Sequence, residues 1–122
     1  MSKIVSKPWG REIILSESNL PYTAKILQIS GGKRLSLQYH DQKTETLVLV
    51  SGKAILLRGP TQNKLEKTEM TPDQGYTIQN MEVHRIEAIS DCRIFEASTP
   101  EIGITYRLED DTNRTNETLN HL

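Results

Sequence analysis

A chain of 122 residues holds one domain with a modest core and is too short for two. Its net charge of -1, with Lys and Arg scattered along the chain, offers no basic stripe for nucleic acid or an anionic membrane. No apolar run nears the roughly 20 residues that cross a bilayer, and a single cysteine, Cys92, excludes an internal disulfide framework or a thiolate-rich zinc site.

The first ten residues, MSKIVSKPWG, are charged and carry a proline where a signal peptide needs an apolar stretch. With the lone cysteine, this fits a reducing cytoplasm. The two sequons, at Asn113 and Asn116, are then chance matches.

Short strands punctuated by turn residues follow one another along the chain. Residues 25–29 alternate and stop at Ser30-Gly31-Gly32, and 35–40 run into the polar stretch 41–44. Residues 45–50 end at Ser51-Gly52, 54–57 run into Gly59-Pro60, and 65–70 read as an edge strand. Residues 76–79, 83–89 and 93–98 complete the series. Turns recur about every ten residues, the spacing of an antiparallel sandwich or barrel. No segment keeps helical periodicity clear of Gly and Pro, apart from a possible short turn near the C-terminus. The expected fold is all-β, a jelly roll. Residues 1–112 form its single domain, and 113–122 are expected as a polar, flexible tail.

The chemistry gathers between Gly32 and Gly52. Side chains two apart on a strand share a face, so Ser36, Gln38 and His40 point one way. A short turn returns Glu45 beside His40, and His84 opens a later strand. An amide oxygen, two imidazoles and a carboxylate suit one borderline divalent ion: Zn, Mn, Co, Fe or Ni. Spacing alone leaves open that both histidines are ordinary strand-end residues.

Gly32, Gln38, His40, Glu45 and Gly52 resemble the first motif of the cupin superfamily, and His84 matches the histidine of its second. Within that superfamily, Leu35-Ser36-Leu37-Gln38-Tyr39-His40 is most similar to the cupin domain of type II mannose-6-phosphate isomerases. There a Gln replaces the first histidine ligand. Pro8-Trp9-Gly10, Val50-Ser51-Gly52-Lys53-Ala54, His84-Arg85-Ile86-Glu87 and Arg107-Leu108-Glu109-Asp110-Asp111 extend the likeness in the same order.

The resemblance implies a cupin jelly-roll (double-stranded β-helix) barrel with Gln38, His40, Glu45 and His84 on one metal ion. It implies a metal-dependent aldose–ketose isomerase acting on a sugar or sugar phosphate, as a homodimer. Glu45 and Lys43 are then the candidate bases. Lys33 and Arg34 are candidates for a substrate phosphate or for a solvated strand entry, and Arg107 for substrate binding or for packing. Trp9 is expected as a plug beneath the barrel.

Departures keep other readings open. The family's Arg-Ala-Glu-His-Trp run is replaced by Lys43-Thr44-Glu45-Thr46-Leu47, which forfeits the two-pronged grip of Arg on an anion. A sugar-binding cupin without turnover is the first alternative. A metal-dependent dioxygenase is the second, because two His and one Glu resemble an oxygen-activating triad.

Overall fold

The computed structural model describes residues 3–119. Among them are β1 (Lys3–Lys7), β2 (Gly10–Ile14), β3 (Thr23–Ile29), β4 (Leu37–His40), β5 (Glu45–Ser51) and β6 (Ala54–Gly59). Then come β7 (Glu66–Glu69), β8 (Gly75–Ile78), β9 (Val83–Ala88), β10 (Cys92–Ser98), β11 (Gly103–Glu109) and β12 (Glu117–Leu119). They form two six-stranded sheets, ordered β1-β2-β3-β10-β5-β8 and β12-β11-β4-β9-β6-β7. All strand pairs are antiparallel. From β3 to β11 the chain passes repeatedly from one sheet to the other, which is the winding of a jelly-roll barrel.

The eight strands read from the sequence are β3 to β10. Residues 41–44 are not a hairpin turn, however. They cross between sheets, so His40 and Glu45 face each other across the barrel rather than along a ladder. The ends of the chain add β1, β2, β11 and β12. The segment expected as a polar tail pairs up to Leu119, with Thr105 opposite Glu117. Its anchors are polar: Arg107 Nη1 donates to the Thr115 carbonyl at 2.7 Å, and the Arg107 amide to Asn116 Oδ1 at 2.9 Å. Residues 120–122 of that tail lie outside the described residues.

Inward positions divide the barrel into an apolar end and a polar end. On β3 the buried residues run Thr23, Lys25, Leu27, Ile29, and on β5 Glu45, Leu47, Leu49. On β10 they run Ser98, Glu96, Ile94, Cys92. Register aligns these series, with Thr23 opposite Ser98 and Ser98 opposite Glu45, so the polar residues meet at one end. Leu27, Ile29, Leu49, Leu56, Ile86 and Ile94 fill the other end, together with Trp9. Each such aliphatic side chain, fully buried, stabilises the fold by about 1.5–3 kcal/mol.

Two glycines let the sheets close. A Cβ on Gly10 would lie 2.0 Å from the Gln28 carbonyl oxygen, so only glycine brings β2 this close to β3. Gly52 turns β5 into β6 with φ of 86°, and a Cβ there would meet the Asp91 oxygen at 2.2 Å.

Candidate metal centre

The polar end of the barrel holds His40 on β4, Glu45 on β5 and His84 on β9, all at least 95% buried. One ligand atom from each falls within 4.8 Å of the others. His84 Nε2 is 3.0 Å from Glu45 Oε1, and His40 Nε2 is 4.0 Å from the same oxygen. Donors about 2.1 Å from a tetrahedral ion stand roughly 3.4 Å apart, so these three suit a common ion.

The far side of each ring is held. His84 Nδ1 donates to the Glu82 carbonyl at 3.0 Å, and His40 Nδ1 lies 2.8 Å from Thr105 Oγ1. That leaves both Nε2 atoms aimed at the carboxylate, the orientation in which imidazoles bind metal. Gln38 registers opposite His84 and borders the same cavity. The donor set of imidazole, carboxylate and amide fits a divalent first-row ion.

Behind Glu45 lies a chain of buried charges. Lys43 Nζ is 3.3 Å from Glu45 Oε2 and donates to Glu101 Oε1 at 3.0 Å. It also stands 3.0 Å from Glu96 Oε2, an ionic contact without the direction of a hydrogen bond. Lys25 Nζ continues the chain, 2.8 Å from Glu101 and 3.3 Å from Glu12.

These contacts set the ionisation states. Burial disfavours a charge on Lys43, but Glu96, Glu45 and Glu101 overcome it and hold the ammonium well above its usual pKa. Burial likewise opposes charge on Glu45, yet Lys43 and the His84 hydrogen bond hold its pKa well below normal. Burial and then Lys43 push His40 down to about 3, so its ring is neutral. His84 goes the other way: burial is outweighed by Glu45, which raises its pKa. Glu96 is pushed up to about 7, by burial first and then by Glu45. Glu101 falls to about 2, because Lys43 and Lys25 outweigh its burial. Glu96 and Glu101, which share Lys43, are thus driven apart, and of these two Glu96 is the one that titrates near neutrality.

A cavity of about 280 Å³ extends from the triad to the gap between the edge strands β1 and β12. That is near the lower end for small-molecule sites, about 300–1,000 Å³. Arg107, opposite Gln38 on β11, borders it. Lys33 and Arg34 do not. Lys33 is exposed, and Arg34 donates from Nη2 to Asp111 at 2.9 Å on the outer surface. Arg85 points away from the triad, with Nε donating to the Leu35 carbonyl at 2.9 Å. Trp9 packs in the core. Burial, with Asp91 second, pushes the Cys92 thiol up to about 11, which leaves it unreactive.

The sequence reading did not pick out Lys25, Glu96 or Glu101. Lys25 and Glu96 sit on the inward phase of strands whose other inward residues are mostly apolar. A charge on an apolar phase is the signal that finds them.

No curated protein matches the chain. Among solved structures it resembles the capsular polysaccharide assembling protein CapF from Staphylococcus aureus, with a TM-score of 0.67 and 15% identity. That match covers 98% of this chain but 32% of CapF, so the chain spans about a third of that relative's length. KdgF from Halomonas sp. matches with a TM-score of 0.67 and 14% identity, covering 80% of this chain and 86% of KdgF. Lactobacillus farciminis oxalate decarboxylase, in a formate complex, gives a TM-score of 0.72 at 16% identity, covering 88% of this chain and 33% of the decarboxylase. At such identities the likeness is one of fold. The sequence model described as "Mannose-6-phosphate isomerase C-terminal" matches residues 1–117. The chain is therefore a cupin, and it belongs to the mannose-6-phosphate isomerase C-terminal family.

Proposed function

We propose that the chain is a metal-dependent aldose–ketose isomerase acting on an open-chain sugar or sugar phosphate. The observation that carries this reading is a His40–Glu45–His84 triad in the same small cavity as Glu96, a carboxyl with a pKa of about 7. His40, Glu45 and His84, with the Gln38 amide oxygen, would hold one divalent ion. When bound, that ion supplies Lewis acidity to a carbonyl and its neighbouring hydroxyl.

The remaining work falls to side chains. Conversion of an aldose to a ketose takes a proton from C2 and delivers one to C1, while the O2 hydroxyl proton passes to O1. Glu96 suits the carbon-to-carbon transfer, since a base works best with a pKa near the working pH. Lys43 does not, because its carboxylate partners keep it protonated. Glu45 is a weak base for the same electrostatic reason, being held ionised by Lys43. Lys43 instead keeps Glu45 ionised and oriented.

The test is proton exchange. Protein loaded with Mn, Co or Zn is incubated with mannose 6-phosphate in D₂O and analysed for fructose 6-phosphate and for deuterium at C1 of that product. Both are expected in wild type, and both should vanish in Glu96→Gln. Saturable sugar binding with no exchange under any ion overturns the isomerase reading. It leaves the binding-only alternative, which is favoured by the absence of an arginine at position 43.

The homodimer belongs to the same proposal. On the outer face of the first sheet, Ile4, Ile13, Ile26, Phe95 and Val48 register side by side across five strands. This uncharged row ends at β1, a sheet edge where Ile4 is 58% exposed. A second copy of the chain would cover both.

A further inference from the structure

The cavity is electrically lopsided. Around the triad, Lys43 and Lys25 are outnumbered by Glu45, Glu96, Glu101 and Glu12. At the other end, between β1 and β12, the balance reverses. Strand alternation turns Lys3, Val5 and Lys7 toward the cavity and leaves Ile4 and Ser6 outside. Neither Lys3 nor Lys7 has an ion-pair partner among the described residues; Glu117 feels the charge of Lys7 only beyond contact range.

Arg107 adds a third cation. Its guanidinium, 9% exposed, meets Glu117 at 2.6 Å and the Thr115 carbonyl, yet Nε is buried without a hydrogen-bond partner. A buried donor left unpaired costs stability unless a ligand satisfies it. Arg107 also registers opposite Gln38, which itself registers opposite His84. Cross-strand neighbours stand about 5 Å apart, so the three positions step from the triad to the gap in roughly the length of a small molecule.

We infer that the gap between β1 and β12 is an anion subsite, in which Lys3, Lys7 and Arg107 hold the phosphate or carboxylate end of the ligand while its other end reaches the triad. This rests on the reading of the triad as the reacting centre. It assigns the anionic end to these cations rather than to Lys33 and Arg34, which lie outside the cavity. Lys3, Lys7 and Arg107 face only the Glu117 carboxylate at the gap, so positive charge is in excess there and a dianion gains more than a neutral hydroxyl group.

The experiment is calorimetric titration of the metal-loaded full chain with inorganic phosphate, then with mannose 6-phosphate, mannuronate and mannose. Wild type is expected to bind phosphate and at least one anionic sugar tenfold or more tightly than mannose, and whichever anion it prefers names the source. In Lys3→Gln/Lys7→Gln, a change on an edge strand that leaves the core intact, phosphate affinity should fall tenfold or more with metal stoichiometry unchanged. Arg107→Lys, which keeps the charge, should lose less. Equal affinity for the three sugars, or phosphate binding unmoved by the double variant, overturns the subsite. Lysine-dependent phosphate binding without proton exchange keeps the subsite and overturns the isomerase. Proton exchange with an unchanged KM in the double variant does the reverse.

Discussion

Lys43 Nζ stands 3.3 Å from Glu45 Oε2, while Oε1 of the same carboxylate turns to His84 at 3.0 Å. One oxygen is held by a buried cation and the other is presented to the centre of the barrel. The position that carries an arginine in the family therefore serves here as an internal brace, its ammonium buried among Glu45, Glu96 and Glu101.

Removing that brace takes one buried cation from Glu45, Glu96 and Glu101 and leaves Lys25 as the lysine beside the last two. Lys43→Met is expected to destabilise the fold by about 3–5 kcal/mol, the cost of breaking a buried ion pair from one side. Adding Glu101→Gln should recover part of the loss, because the residues share the network. Urea unfolding of both single variants and the double variant measures this. A loss below about 1 kcal/mol for Lys43→Met would show that the brace is not structural.

Glu101 and Glu96, two of the three carboxyls around Lys43, give opposite pH dependences. Glu101 has its pKa lowered to about 2, so its contribution is full above its ordinary pKa and disappears as pH falls toward 2. Glu96, raised to about 7, holds its proton in the fold after the unfolded chain has released it. Its contribution therefore declines as pH rises toward 7. Glu96→Gln should gain stability relative to wild type across that rise, by a few kcal/mol at most. Unfolding free energies at pH 5, 6, 7 and 8 decide it, and a difference that does not change with pH removes Glu96 as a near-neutral acid.

Metal uptake should release a proton. His40 is already neutral and Glu45 already ionised, whereas His84 is protonated below its raised pKa and must lose that proton to offer Nε2. Affinity is expected to fall as pH drops through that pKa, by up to tenfold per unit. Zinc titrations in two buffers of different ionisation enthalpy count the proton. No release at pH 6 would mean that His84 is not a ligand.

Much of this architecture is legible in the residues. Gly-bounded alternating runs mark β3 to β10, because inward and outward side chains differ wherever one face is buried. The ends escape detection for a physical reason. β1 and β12 are edge strands with charged residues facing the cavity, so their pattern reads as loop. Histidines and Glu45 stand out by residue type. Glu96 shows only as a charge on the inward phase of β10, and Glu101 does not stand out at all, since it and Lys43 lie in connections between strands and only the folded chain brings them together.

The outer apolar row offers a separate test of assembly. Ile26→Asp places a charge at its centre, between Ile13 and Phe95. If a second copy covers this face, light scattering should find the variant monomeric and the wild type dimeric. A wild-type monomer at micromolar concentration would leave the row without a partner.

The most direct measurement is a cobalt titration of the wild-type chain and of Glu45→Ala, followed by visible absorption. One equivalent of Co²⁺ should bind wild type with a ligand-field spectrum of mixed nitrogen and oxygen donors, and Glu45→Ala should lose affinity by a hundredfold or more. Unchanged cobalt affinity and spectrum in Glu45→Ala would contradict a metal centre built on His40, Glu45 and His84.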